Sequence, residues 1–364
     1  MELQKFIDNN TNYTSVLREL NLNFKKYSEL GLLIISYKYN VKYNLEQYPF
    51  IKWCRGAIVR LSDNKVICLP VQKALIKYNL NDDISLDNDD NCVLQPLIDG
   101  TMINIFNHND EWLLSTRNFI GARNKWDGNL SFKKMFDSIV LEKDINLDLL
   151  NKENSYTFVL QHKDNRIISD IVDNNIILVD EYSVNDNKFL DLEGKDYGNI
   201  VIIKNNDLSV LNNSFKKTFN YQFKGFTLKY SDKRINYINE NYDSVLSLKN
   251  ECNFNNKLLT FLYLRNNNKL TAYLKYFRND DQLFDSYRNK IYLMKNELHS
   301  CYCNYFIKKS INKKDIPYHL KPLVYDLHSI YKKSGTKITI SVVNDYLYNL
   351  PIKKLCFVIN YYLV

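Results

Sequence analysis

The chain has 364 residues, 45% of them hydrophobic, with only 9 Gly and 6 Pro, which is enough apolar material for two buried cores and argues against a disordered chain. Charge is uneven: the formal net charge is +8, yet residues 251–364 hold 18 Lys/Arg against 8 Asp/Glu, leaving about −2 for residues 1–250. That basic third is either a nucleic-acid contact surface or a solvated helical face.

The opening MELQKFIDNN lacks the apolar run of a signal peptide, and Gly31–Ile35 is far too short to cross a bilayer, so a soluble, cytoplasmic protein without a membrane partner is expected. The 28 Tyr and abundant Asn read as the bias of an AT-rich genome, so single surface Asn or Lys residues carry little weight. Seven scattered cysteines fit reduced thiols better than a disulfide framework. Cys301 and Cys303 lie near His299, but no second pair follows at zinc-site spacing, so no metal is expected there.

From Leu32 to Lys249 short Ile/Val/Phe/Tyr-rich runs alternate with Asn/Asp/Gly turns and predict strands. They cover Gly56–Leu61, Lys65–Leu69, Thr101–Phe106, Trp112–Thr116, Tyr156–Gln161, Ile176–Tyr182, Ile200–Ile203 and Gly225–Tyr230. Phe132, Met135, Phe136 and Ile139 predict a helix over Phe132–Val140. Beyond Glu251 the period becomes helical. Leu258, Phe261, Leu262 and Arg265 mark one helix, and Leu283, Tyr287, Ile291, Met294, Leu298 and Cys301 form the stripe of a longer one. Ser334-Gly335 reads as a helix stop, followed by a short helix over Ser341–Leu350. The expected class is α+β: a domain of mixed, mainly antiparallel sheets over residues 1–250, then an all-helical basic domain over residues 251–364.

Six segments stand in a telling order: WCRGAIV from Trp53, PVQK from Pro70, LIDGT from Leu97, STRN from Ser115, YTFVLQHKDNRI from Tyr156 and KGFTLK from Lys224. Each alone is weak, since an Arg-Gly or Asp-Gly is usually a turn. In this order and spacing they resemble the nucleotidyltransferase motifs of the phage-type RNA ligase 1 family, over roughly Lys52–Leu248. Gly100–Asn104, Phe158–His162 and Ser300–Lys309 also resemble strings in ligase-like proteins of large nucleocytoplasmic DNA viruses.

The resemblance implies a nucleotidyltransferase (ATP-grasp-like ligase) fold with its chemistry removed. The family's nucleophilic lysine, in Lys-x-Asp-Gly, falls on Leu97, which cannot be adenylylated. The carboxylate of the next motif falls on Val159, or on Gln161 two residues along the same strand face. The metal-holding Glu before Gly is Lys224, which reverses the sign of the site, and the two phosphate-binding lysines fall on Asn236 and Ile238. Arg55, Asp99, Gly100, Arg117, Arg166 and Lys229 are retained types which, with Lys224, imply a pocket for a phosphate, a nucleotide or an RNA end. Alternatively Asp99-Gly100 is a hairpin turn, Arg55 and Arg166 are paired inside the fold, and His162 packs at a strand end.

Three functions stay open. In the first, a degenerate ligase-like protein binds RNA, with Lys308, Lys309, Lys313 and Lys314 on the RNA backbone and no cofactor or metal expected. In the second, an active ATP- and magnesium-dependent RNA ligase uses a relocated lysine among Lys73, Lys77 and Lys224. In the third, the fold is a scaffold among viral protein partners.

Overall fold

A computed structural model describes residues 1–78, 92–125, 130–207, 219–230, 233–252, 254 and 256–362. It divides into two compact units, Met1–Ser244 and Val245–Val364. The class is α+β: mainly antiparallel sheets form the first unit and helices the second.

In the first unit, helices α1 (Glu2–Asp8) and α2 (Tyr13–Glu19) precede a sheet of order β1-β2-β3-β4. Its strands are β1 (Asn23–Tyr27), β2 (Leu32–Ser36), β3 (Arg55–Arg60) and β4 (Lys65–Cys68). Strand β2 is buried throughout because both faces are covered. Leu33, Ile35 and Val59 pack with Leu3, Ile7 and Leu17 of the helices, while Leu32, Ile34 and Ile58 meet Phe106 and Ile120 behind them.

Strands β5 (Leu75–Lys77) and β6 (Val93–Pro96) belong to a separate sheet described below. The second sheet contains β7 (Thr101–His108), β8 (Glu111–Ser115), β9 (Asn154–Gln161), β10 (Asn175–Ser183), β11 (Lys188–Leu190) and β12 (Val201–Ile202). Its order is β11-β10-β9-β7-β8, with β12 parallel to β10. Period-two alternation sends Ile103, Ile105, Phe158, Leu160 and Ile176 to the face covered by α3 (Phe132–Glu142), whose Phe132, Met135, Phe136 and Ile139 form the predicted apolar stripe. The opposite face is the more polar one, though Phe106 lies on it: Thr157 donates to Asn104 Oδ1 at 3.0 Å, and both are buried. A bulge between Leu178 and Asp180 resets the alternation of β10. Leu178 pairs with Phe158 on the apolar face and Asp180 with Thr157 on the polar one.

The third sheet has the order β5-β14-β13-β6, with β13 (Gly225–Tyr230) and β14 (Lys233–Ile238). Leu94, Phe226, Leu228, Ile235 and Tyr237 make its core, and the alternate positions Thr227, Lys229, Arg234 and Asn236 form the other face.

The second unit contains helices Lys257–Asn266, Leu270–Leu274, Asp281–Tyr302, Lys321–Ser334, Ile340–Tyr348 and Ile352–Asn360. Asn256 caps the first by accepting from Leu258 N and Leu259 N, and Gly335, at φ +68°, ends the fourth where a helix stop is expected. The long helix corrects the expected stripe. Leu283 is 39% exposed and Cys301 only half-buried, while Phe284, Tyr287, Met294, Leu298 and Tyr302 face the core. The larger rings one position along take the buried stripe, because they remove more apolar area from water. Strands β1, β5, β6 and β14, and helix Ile352–Asn360, lie outside the expected elements; β1 and β5 are short and largely exposed, so their residues show no apolar alternation. All seven cysteines are free.

One buried charge ties β10 to the following loop. Glu181 is 2% exposed and accepts from Asn154 Nδ2 at 2.6 Å, Tyr197 Oη at 2.7 Å and Lys195 Nζ at 2.5 Å. Burial alone would raise its pKa, but these donors outweigh it and hold the carboxyl below its ordinary value. A depressed folded pKa adds stability that is present above the unfolded value and lost as pH falls through the folded one. Glu181→Ala is therefore expected to cost about 3 kcal/mol at neutral pH. In urea denaturation the gap to the parent chain should narrow as the pH falls through the carboxylate range.

Candidate functional site

The LIDG segment is not a hairpin turn. Leu97 leaves β6 in the third sheet, where its N–H bonds Gly225 O at 2.8 Å, and Thr101 starts β7 in the second, so Asp99-Gly100 crosses between sheets. Gly100 has φ +157°, and a Cβ there would stand 2.6 Å from both Leu160 O and Val159 Cγ1. Glycine is required because β9 passes directly against the crossing. Two positions of β9 flank it: Val159 touches the place of that Cβ, and Gln161 Nε2 donates to Asp99 O at 2.8 Å.

The Asp99 carboxylate is 7% exposed and its acceptor capacity is taken up by four donors. Oδ2 accepts from Ile168 N at 3.0 Å and Ser169 N at 2.9 Å, and Oδ1 from Tyr242 Oη at 2.6 Å. Lys224 Nζ stands 3.6 Å from Oδ1. Hydrogen bonds to an ionised carboxylate are the strong kind. Burial lowers the Lys224 pKa; the Asp99 charge opposes that and Arg55 adds to it. The Lys224 side chain keeps 23% of its surface exposed.

The other expected residues lie in separate settings. Arg55, at the start of β3, acts electrostatically on both Lys224 and Arg234, and among the described residues it has no hydrogen bond or ion pair. Lys229 and Arg234, cross-strand neighbours, both reach Asp180 of the second sheet, at 2.5 and 3.1 Å. Arg166 folds onto its own loop: it donates to Ile168 O and pairs with Asp170 at 2.8 Å. That loop is fastened to the segment before β13, since Ser169 Oγ donates to Gln222 O at 2.8 Å and Gln222 Nε2 to Asp170 at 2.6 Å.

Arg117 lies between the rings of Tyr37 and Tyr39, 4.2 and 3.5 Å from their centroids, and its backbone abuts Gly56. Its Nη2 donates to Tyr37 O, while its buried Nε and Nη1 have no partner among the described residues. Lys73 lies over the other participant of this group, 5.2 Å from the Tyr37 centroid. Asn236 accepts from Thr227 Oγ1 at 2.7 Å, and Ile238 is buried opposite Gly225. His162 closes its strand by accepting Asp164 N on Nδ1 at 3.1 Å. Lys308, Lys309, Lys313 and Lys314 belong to the second unit and are taken up below.

Sequence reasoning missed Tyr242, Arg234 and Asp180. Arg234 was within reach, since recognising β14 places it across from Lys229. Asp180 was not, because only the bulge turns it toward β13.

No protein-family model matches the chain, and no curated protein sequence matches it. Among solved structures, a candidate ATP-dependent DNA ligase from Aquifex aeolicus is similar at 17% identity and TM-score 0.47, over 76% of this chain and 78% of that one. An archaeal ATP-dependent RNA ligase is similar at 13% identity and TM-score 0.41, over 69% and 64%. For the Naegleria gruberi RNA ligase with pyrophosphate the values are 13% and 0.32, over 42% of this chain and 50% of that chain, so this chain spans half its length.

Replacing Asp99 by Asn leaves one amide N–H facing donors, and Asp99→Asn is expected to cost about 3 kcal/mol in chemical denaturation. Tyr242→Phe, which removes a single donor, is expected to cost about 1 kcal/mol.

Proposed function

We propose that the first unit is a ligase-like domain that binds a nucleotide or an RNA end through its phosphates and does not join RNA. The observation that carries this reading is the charge around Asp99: its acceptors are taken by Tyr242, two backbone N–H groups and Lys224. Arg55, Lys224, Lys229 and Arg234 gather against Asp99 and Asp180, with Asp191 further out. A cationic surplus suits an anion with many acceptor oxygens. The ordered sequence motifs support the same reading.

The residues present do not suit the magnesium that the family resemblance implies. A hard cation needs free carboxylate oxygens, whereas Asp99 is surrounded by donors and the neighbouring position holds an ammonium. No step is routed through a metal here. Leu97 stands where a nucleophile is needed, and its side chain offers neither a lone pair nor a proton.

One observation favours a second reading, adenylyl transfer to Lys224: its lowered pKa raises the share of neutral amine, the attacking form. Incubation with α-labelled ATP and magnesium or manganese, followed by denaturing electrophoresis, separates the two. The binder leaves no label beside an active ligase control, whereas a band abolished by Lys224→Met establishes the enzyme. In calorimetry, Arg55→Ala should weaken ATP or 5′-phosphorylated RNA binding about tenfold without lowering stability, because Arg55 has no partner to leave stranded. Absence of binding to either ligand favours a scaffold.

A further inference from the structure

The second unit carries an aromatic surface that the cleft reading does not use. Helix Asp281–Tyr302 continues into a single π-turn, Cys303–Ile307, an insertion that rotates the following side chains out of the helix's own stripe. Ile307 is consequently 57% exposed. Phe306 stacks face to face on His328, with ring centroids 3.7 Å apart and planes 8° apart. Tyr331 extends the stack at 6.0 Å and 23°, and it is 46% exposed. Beside it Tyr305 and Tyr325 share a hydroxyl contact at 3.1 Å. Burial and Lys332 lower the His328 pKa, so the middle ring is neutral at physiological pH and does not repel neighbouring cations.

Lysines surround these rings. Lys313 Nζ lies 5.6 Å from the Tyr325 centroid, Lys313 and Lys321 both act on Tyr305, and Lys332 acts on His328. None of the three is ion-paired to a described residue, and the same holds for Lys308, Lys309 and Lys314. The carboxylates within the segment are engaged elsewhere: Asp315 accepts from Asn312 N, and Asp326 pairs with Lys354 at 2.9 Å. Uncompensated lysines describe a surface for a polyanion, and aromatic faces set among them describe one whose other component is flat and unpaired.

We propose that the Phe306–His328–Tyr331 stack, the Tyr305–Tyr325 pair and their lysines form a contact surface for single-stranded RNA. Unpaired bases stack on the tyrosines, and Lys313, Lys321 and Lys332 meet the phosphates. A duplex hides its base faces, so this surface prefers single strands. An acidic protein would satisfy the lysines but leave the rings without a purpose. The inference rests on the helical unit alone and stands apart from the cleft reading.

The test is fluorescence anisotropy of the full chain with an oligouridylate, its blunt RNA duplex with oligoadenylate, and polyglutamate, each over a range of salt. The oligouridylate is expected to bind tightest. Tyr331→Ala should weaken it by about 5- to 100-fold, the range that base–aromatic stacking supports. Tyr331→Phe should keep the affinity. Tyr331→Leu, which retains apolar packing without a π-face, should lose it as alanine does, covering the case in which alanine loosens the helix. Lys313→Gln should lower the slope of log affinity against log salt by about one. Equal binding of polyglutamate would overturn the proposal in favour of an acidic protein partner. Unchanged affinity in both Tyr331→Ala and Tyr331→Leu, or no binding of the oligouridylate, would also overturn it.

Discussion

The buried carboxylate of Asp99 is the constraint on which the first unit depends. A charge 7% exposed is tolerable only when its acceptors are met, and here the donors come from the 162–170 loop, from Lys224 before β13 and from Tyr242 after β14. The strands that flank these donors belong to two sheets, so satisfying one carboxylate also fixes how those sheets meet. Gly100 makes the crossing possible by letting β9 pass where any other side chain would stand.

The same chemistry that stabilises the crossing limits what the Asp99 carboxylate can hold. A carboxylate in water, or with weak neighbours, can hold a divalent cation; one ringed by a phenol, two amides and an ammonium has already spent its lone pairs. Asp180 repeats this arrangement, since Lys229 and Arg234 take both its oxygens. Arg55 has no such partner among the described residues and adds its positive charge to those of Lys224 and Arg234.

The helical unit reaches a similar sign by a different route. Several of its carboxylates are engaged in caps and local pairs, among them Asp326 with Lys354 and Asp280 with Lys257. Lysines along 308–337 have no such partners among the described residues. Its π-turn then decides which rings accompany them, because one inserted backbone position redirects Tyr305 and Phe306 toward Tyr325 and His328.

Strong local patterns made most elements legible in the sequence. The run Gly225–Tyr230 appears as a strand with the expected bounds, the stripe through Phe132, Met135, Phe136 and Ile139 appears on a helix, and Gly335 ends one. The α+β class followed from the change of period near Glu251, and the leucine at position 97 is a matter of residue identity alone. What the sequence could not supply were partners. Period-two alternation says that Asp180 should share the face of Leu178; the bulge reverses this, and a bulge is set by pairing with β9 and not by local propensity. Lys229 and Arg166, retained types that the resemblance assigned to a phosphate pocket, have carboxylate partners, one of them 49 residues away in the chain, and Tyr242 reaches Asp99 across 143. Residue types and periodicities are local properties, so the chain by itself determined its elements and the side chains that its ordered segments carry. Which charges cancel depends on distances of a few ångströms between remote segments, and only the tertiary structure decided that.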